Sequence, residues 1–178
     1  MAGAADILIR AATVDDAPAI GRIYNHYIEH SIATFHLEPL PEEYWIDWFT
    51  RFDPATPYQA FVAVNRDGDG DQVIGFIYAS PFSDRGAYYL STITSIYLDA
   101  DWLAAHPSSG LGTRLYERMF AVLNEHNIHR NYAGISQPNP ASMALHHKMG
   151  FRQVALYNEV GYKFDRFIDV VYMEKALD

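Results

Sequence analysis

Between Tyr58 and Leu98 three β-rich runs follow one another with only turns between them. "YQAFVAV" (58–64) passes through "NRDGDGDQ" to "VIGFIYAS" (73–80), and "AYYLSTITSIYL" (87–98) comes next. β-Branched and aromatic residues dominate each run, and the Asp/Gly stretch supplies hairpin chemistry. The segment reads as an antiparallel meander on which the rest of the chain must pack. Before it, "ILIR" (7–10) is a first strand, and Thr13 caps a helix with Asp15 and Asp16 in its first turn. Ile20, Ile23, Tyr24, Tyr27 and Ile28 then mark one helical face, and "PEEYWIDWF" after Pro41 is a second helix with aromatic anchors.

After the meander, "HPSSGLGTRLYERMFAVLNEH" (106–126) leads through small residues into a helix with Leu115, Met119, Val122 and Leu123 on one side. "NYAGIS" is a short strand. "NPASMALHHKMG" reads as a capped helix, with Asn139 at the cap, Pro140 at the first position and Gly150 past the end. The remainder gives two strands about a turn near Lys163–Asp165. The order is βααβββαβαββ, which predicts one α/β domain over 1–178 with a central mixed, mostly antiparallel sheet flanked by helices.

Bulk properties narrow the function. The chain has 178 residues, a net charge of −9 and no cysteine. Disulfides, thiolate metal sites and a cysteine nucleophile are excluded. The acidic balance argues against broad binding to nucleic acid or an anionic membrane. The N-terminus lacks a basic start followed by an apolar core, and no apolar run approaches the ~20 residues that span a bilayer. A cytoplasmic enzyme or binding protein is the expectation.

Four stretches carry candidate chemistry. Gly110-Leu111-Gly112 opens a helix, where unpaired main-chain amides and the positive dipole end meet an anion. It is either a phosphate cradle or a plain helix start with Leu111 plugged into the core. In the Asn139 helix, Asn139, Ser142 and His146 share roughly one side, and Leu145 and Met149 another. Of the adjacent histidines, one packs and the other is solvated, or one is functional. The histidines are scattered and no H-E-x-x-H motif occurs, so a metal site is not expected. "SIATFHLEP" places Phe35 in the first inter-helix loop, as core or as pocket wall. Lys163 and Arg166 flank the last turn, either solvated or facing an acidic group on a substrate.

Taken together these segments resemble the GNAT N-acetyltransferase superfamily, and within it the phosphinothricin acetyltransferase family. The resemblance rests on "IRAATVDDAPAIGRIYNHYIEHSIATF", "SIYL…GLGTRLYERM", "NPASMALHHKMGF" and "GYKFDRFIDVVYMEKAL". It implies the GNAT acyl-CoA N-acyltransferase fold, acetyl-CoA as donor, no metal, a small-molecule amine acceptor of amino-acid-like type, and a homodimer. The diphosphate of the donor would lie on the amides of Ser109, Gly110, Leu111, Gly112, Thr113 and Arg114. Its pantetheine arm would pair with the backbone of Ile96, Tyr97 and Leu98, flanked by Asn139 and Ser142. His146 stands where the superfamily often has a tyrosine, and would give a proton to the departing thiolate. Phe35, Tyr97 and Lys163 would line the acceptor pocket.

Two positions depart from the family pattern. Relatives carry a glutamate on the third meander strand where this chain has Ile93, and the loop before the glycines is longer, with Pro107 where an Arg or Gln usually opens the motif. A protonated alkyl amine needs a proton acceptor, and loss of general-base help costs about 10²–10⁴ in rate. Three readings follow for Ile93. The base comes from Glu29, Asp99 or a histidine of the longer loop; or the acceptor amine has a lower pKa; or the chain binds acyl-CoA with weak or no transfer.

Overall fold

The computed structural model describes residues 6–67 and 70–177. The tip of the Asp/Gly turn, Gly68-Asp69, and the first five residues lie outside them. The described chain runs β1 (Ile7–Ala11), α1 (Ala17–His30), α2 (Glu42–Trp48), β2 (Ala60–Asn65), β3 (Gln72–Pro81), β4 (Ser91–Leu98), α3 (Ala100–Ala105), α4 (Leu111–Glu125), β5 (Arg130–Ser136), α5 (Pro140–Lys148), β6 (Arg152–Lys163) and β7 (Arg166–Ala176). The strands form one seven-stranded sheet in the order β1-β2-β3-β4-β5-β7-β6. Every pairing is antiparallel except β4 with β5.

Each face of the sheet carries its own core. On one face Ile20, Ile23 and Ile28 of α1 pack with Trp45 and Trp48 of α2 over Val62 and Phe76. On the other, α4 buries Leu115, Met119, Val122 and Leu123 against Phe61, Ile74 and Ile77. These are the helical faces expected from the apolar spacing. Thr13 is the cap as expected, and together with Asp16 it forms a capping box, although the two cap a short 3₁₀ turn that leads into α1.

Two elements differ from expectation. The fourth strand begins at Ser91, because Gly86–Tyr88 coil into a 3₁₀ turn and the Leu90 carbonyl accepts the amides of His129 and Arg130. The longer loop holds a helix, α3, which was not expected. Asp99 caps it by accepting from the Trp102 amide at 2.9 Å, and Trp102 buries its ring and stacks on His106.

The parallel pair positions the site. β4 and β5 are in register only from Ser91↔Arg130 to Ile93↔Tyr132, and beyond that they splay. The direction of the free main-chain groups follows from alternation. The Ser91 carbonyl accepts from Phe82 and the Asp99 amide donates to Ile74, so odd-numbered residues of β4 face β3. Past Thr94, whose amide faces the last rung with β5, Ile96 and Leu98 therefore turn their amides and carbonyls into the opening wedge.

Candidate active site

Three cavities run end to end through this wedge. The first, of about 410 Å³, lies at the start of α4 and is lined by Ser108 through Thr113, with Lys148 at the end of α5. It shares Leu98, Leu103, Ala141 and Leu145 with a second cavity of about 210 Å³ between the splayed strands. That one is lined by Ile96, Tyr97, Leu98, Asn139, Ser142 and His146, among others. It shares Ala33, Ser95, Tyr97, Gly134 and Ser136 with a third cavity of about 850 Å³, beside Phe35 and Ile93.

At the α4 end, Gly110 is the N-cap in a left-handed conformation, φ 73°, with open space where a Cβ would point. The amides of Leu111, Gly112 and Thr113 precede the first intrahelical bond, which runs from the Arg114 amide to the Gly110 carbonyl at 3.1 Å. Ser109 through Thr113 thus stand where the sequence placed them, and Leu111 is plugged into the core. Arg114 is a correction. Its amide is spent in the helix, its guanidinium donates to the Ile7 carbonyl at 2.6 Å, and it does not line the cavity. Gly112 has a different reason from Gly110: a Cβ there would lie 2.8 Å from Leu145 Cδ2, so the glycine lets α4 and α5 close on each other. Ser108 and Lys148 line this cavity without having been anticipated. Lys148 was hidden because the sequence does not show which helix end meets the glycines.

In the wedge, the Leu98 carbonyl already accepts from the Tyr27 hydroxyl at 2.7 Å, which leaves it one lone pair for a bound arm. Ile96 keeps both main-chain groups toward the opening. Asn139 caps α5 by accepting from the Ser142 amide at 3.1 Å. His146 is 3% exposed and has both ring nitrogens engaged. Nδ1 lies 2.7 Å from the Ser142 carbonyl, which can only accept, so Nδ1 carries the proton. Nε2, 2.7 Å from the Tyr116 hydroxyl, is then the acceptor. Burial pushes the His146 imidazole below its ordinary pKa, against the Ser142 hydrogen bond, which fits this neutral tautomer. Burial likewise holds the Tyr116 phenol far above its usual range, so it remains a donor. His146 reaches the wedge as expected, but this tautomer has no free N–H for a departing sulfur. The free donor nearby is the Ser142 hydroxyl, whose oxygen lies 3.3 Å from Nδ1.

The third cavity includes Phe35 and Tyr97 as expected, and excludes Lys163. Lys163 is 4% exposed, and its ammonium donates to the carbonyls of Ser31 at 2.7 Å and Thr34 at 2.9 Å, with Tyr27 at 3.4 Å. It caps the C-terminal end of α1, where carbonyls lack helical partners and the dipole is negative. Burial lowers its pKa. The acceptor role expected for Lys163 is therefore withdrawn, since its three donors are already directed at main chain. Arg166 is exposed and also absent from the lining.

None of the expected substitutes for the missing glutamate lines the wedge. Asp99 pairs with Arg22 at 2.6 Å; burial raises its pKa, but the Trp102 amide and Arg22 outweigh that and leave it lowered, a poor base. Glu29 is exposed outside all three cavities, and His106 is directed at the Trp102 carbonyl. The sequence also gave no sign of Ser136. Its hydroxyl is buried, makes no hydrogen bond among the described residues, and lies where the second and third cavities meet.

Gly161 sets one wall of the third cavity. A Cβ there would fall 2.1 Å from Phe35 Cε1. Gly161→Ala is expected to swing the Phe35 ring and raise KM for the acceptor about tenfold, with acetyl-CoA affinity unchanged. Steady-state kinetics with each substrate varied in turn checks this.

Residues 9–172 match the family model described as an acetyltransferase (GNAT) domain, which makes the protein an N-acetyltransferase. The phosphinothricin N-acetyltransferase of Streptomyces coelicolor is 35% identical over 177 residues, 99% of this chain and 100% of that protein. The L-methionine sulfoximine/L-methionine sulfone acetyltransferase of Salmonella typhimurium is 28% identical, over 96% of this chain and 94% of its own. A phosphinothricin acetyltransferase from Sinorhizobium meliloti, solved in complex with acetyl-CoA, superposes with a TM-score of 0.84 at 28% identity, over 96% and 88% of the two chains. The chain belongs to the GNAT acetyltransferase family.

Proposed function

We propose that this protein transfers an acetyl group from acetyl-CoA to the primary amine of a small, amino-acid-like acceptor by direct attack. The carrying observation is the continuous path from the free amides of α4, past the unpaired main chain of Ile96, to a separate cavity beyond Ser136. The named activities of its relatives support the same chemistry. The residues fit the donor: Ser109 through Thr113 and Lys148 would hold its phosphates, and Ile96, Asn139 and Ser142 its arm. The donor supplies an activated acyl carbon on a thiolate leaving group.

The amine nitrogen bonds to that carbon, the carbon–sulfur bond breaks, and the proton lost by nitrogen ends on the thiol. The Ile96 amide, turned into the wedge, is placed to donate to the acyl oxygen; one such donor is worth about 3 kcal/mol. The Ser136 hydroxyl accepts an N–H of the amine and holds its lone pair toward the carbon. The Ser142 hydroxyl donates toward sulfur, with His146 behind it as a positioning residue that also fixes Tyr116. A homodimer in the cytoplasm completes the proposal. The resemblance supports the dimer, as do the exposed Val154, Leu156 and Phe167 of the outer strands.

Thiol release from acetyl-CoA in the presence of amino-acid analogues tests the reading. Wild type is expected to turn over, and Ser136→Ala to lose about tenfold in kcat/KM for the amine while its calorimetric affinity for acetyl-CoA holds. Cofactor binding with no transfer to any amine would overturn it.

A further inference from the structure

The third cavity has an unusual charge pattern for an enzyme of amino-acid-like amines: it has none. Among the described residues its lining holds no Asp, Glu, Lys, Arg or His. The cations near it in sequence are accounted for: Lys163 on the carbonyls of α1, Lys175 over the Phe120 ring, and Arg166 outside the lining. Its walls are uncharged, mostly aromatic and aliphatic, with the neutral hydroxyls of Ser95 and of several tyrosines among them. Phe35 and Ile93 stand on one side, Val170 and Tyr172 on another, and Tyr157 and Val160 at the half-open rim. The one unsatisfied polar group at its inner end is the Ser136 hydroxyl, which is 6% exposed.

A free carboxylate or phosphinate brought here would leave water without a counter-charge, and burying an unpaired anion is strongly unfavourable. An ammonium brought here would find no carboxylate to take its proton. An adjacent anion in the acceptor makes this worse, because it holds the amine in its charged form. Masking the acid group removes both obstacles. An α-amine next to an amide has a pKa of about 7.7–8.0 against about 10.4 for an alkyl amine. Roughly 300-fold more of it is neutral at pH 7. Ile93 then presents an apolar wall to a side chain instead of a missing base.

From the uncharged aromatic cavity and the orphan Ser136 hydroxyl at its inner end, we infer that the acceptor is a carboxyl-masked aminoacyl compound, an amide, ester or peptide N-terminus, with an apolar or aromatic side chain. This rests on the transferase reading above. The amine sits on Ser136, the side chain lies against Ile93, Phe35 and Tyr172, and the masked carbonyl points past Val160 toward solvent. The transfer balances as already described, with acetyl-CoA as the only co-reactant.

The test is thiol release with phenylalaninamide, phenylalanine, glycinamide and phosphinothricin offered separately to the full-length protein. Phenylalaninamide is expected to exceed phenylalanine and phosphinothricin at least tenfold in kcat/KM, and glycinamide by a similar factor. Phenylalanine or phosphinothricin equal to or better than the amide overturns this inference and leaves the transferase reading standing. Transfer to none of the four, nor to any other amine, with acetyl-CoA bound overturns the transferase reading and the inference with it. Val160→Arg, at an exposed rim position, supplies the absent cation. It is expected to shift the amide-to-acid preference about tenfold toward phenylalanine; an unchanged ratio counts against the inference.

Discussion

Gly112→Leu weakens acetyl-CoA binding at least a hundredfold and leaves the sheet folded. The reason lies in a neighbouring helix. Gly112 sits in the first turn of α4, and the space that its missing Cβ leaves is filled by Leu145 of α5, with a closest approach of 2.8 Å. Leu145 also lines both the α4 cavity and the wedge. A side chain at 112 must push Leu145 into that path or drive α4 and α5 apart, and either change closes or misaligns the groove. Overpacking of this kind costs about 1–3 kcal/mol of stability, so circular dichroism should show a folded protein while calorimetry shows little binding. Gly110→Ala is the contrasting variant. Its Cβ enters open space, and the change costs only about 1–2 kcal/mol for the left-handed backbone. Its effect on affinity should be under tenfold. Equal losses for the two variants would mean that the helix contact has no special part.

Lys163→Met is expected to lower stability by about 3 kcal/mol, because removing a buried donor exposes carbonyls that then go unsatisfied at about 1–3 kcal/mol each. The Ser31 and Thr34 carbonyls lose their only charged donor, and the turn from α1 into the Phe35 loop loses its tie to the β6–β7 hairpin. In a chain of this size the loss corresponds to a fall of about 10 °C in Tm. A substrate-binding lysine would behave differently, with Tm nearly unchanged and KM raised. Thermal melting and acceptor kinetics on the same variant separate the two roles.

These two residues show what kind of information a sequence withholds. The glycine-to-helix pattern was legible because its meaning is local: amides at a helix start, and a residue able to take φ near 73°. The strands and helical faces were legible for the same reason, as spacing along one segment. What was not legible depends on distant partners. Gly112 needs Leu145, Lys163 needs carbonyls more than a hundred residues earlier, and His146 needs Tyr116 to show that its second nitrogen is engaged. Ser136 gives no signal at all in "NYAGIS", since its interest lies in a hydrogen bond that the fold does not make. The helix α3 was different. Asp99 before "ADWLAA" is a local cap signal, read as loop only because the glycines that follow drew the boundary.

The central claim is that the splayed ends of β4 and β5 hold the thioester against the free main chain of Ile96 and within reach of Ser136. The structure of the protein with acetyl-CoA bound tests it most directly. The account predicts the diphosphate on the amides of Leu111 to Thr113, the acyl oxygen within hydrogen-bond distance of the Ile96 amide, and the acetyl methyl turned toward the Ser136 hydroxyl. A bound donor whose acyl group lies outside the wedge, or whose phosphates avoid the start of α4, would contradict it.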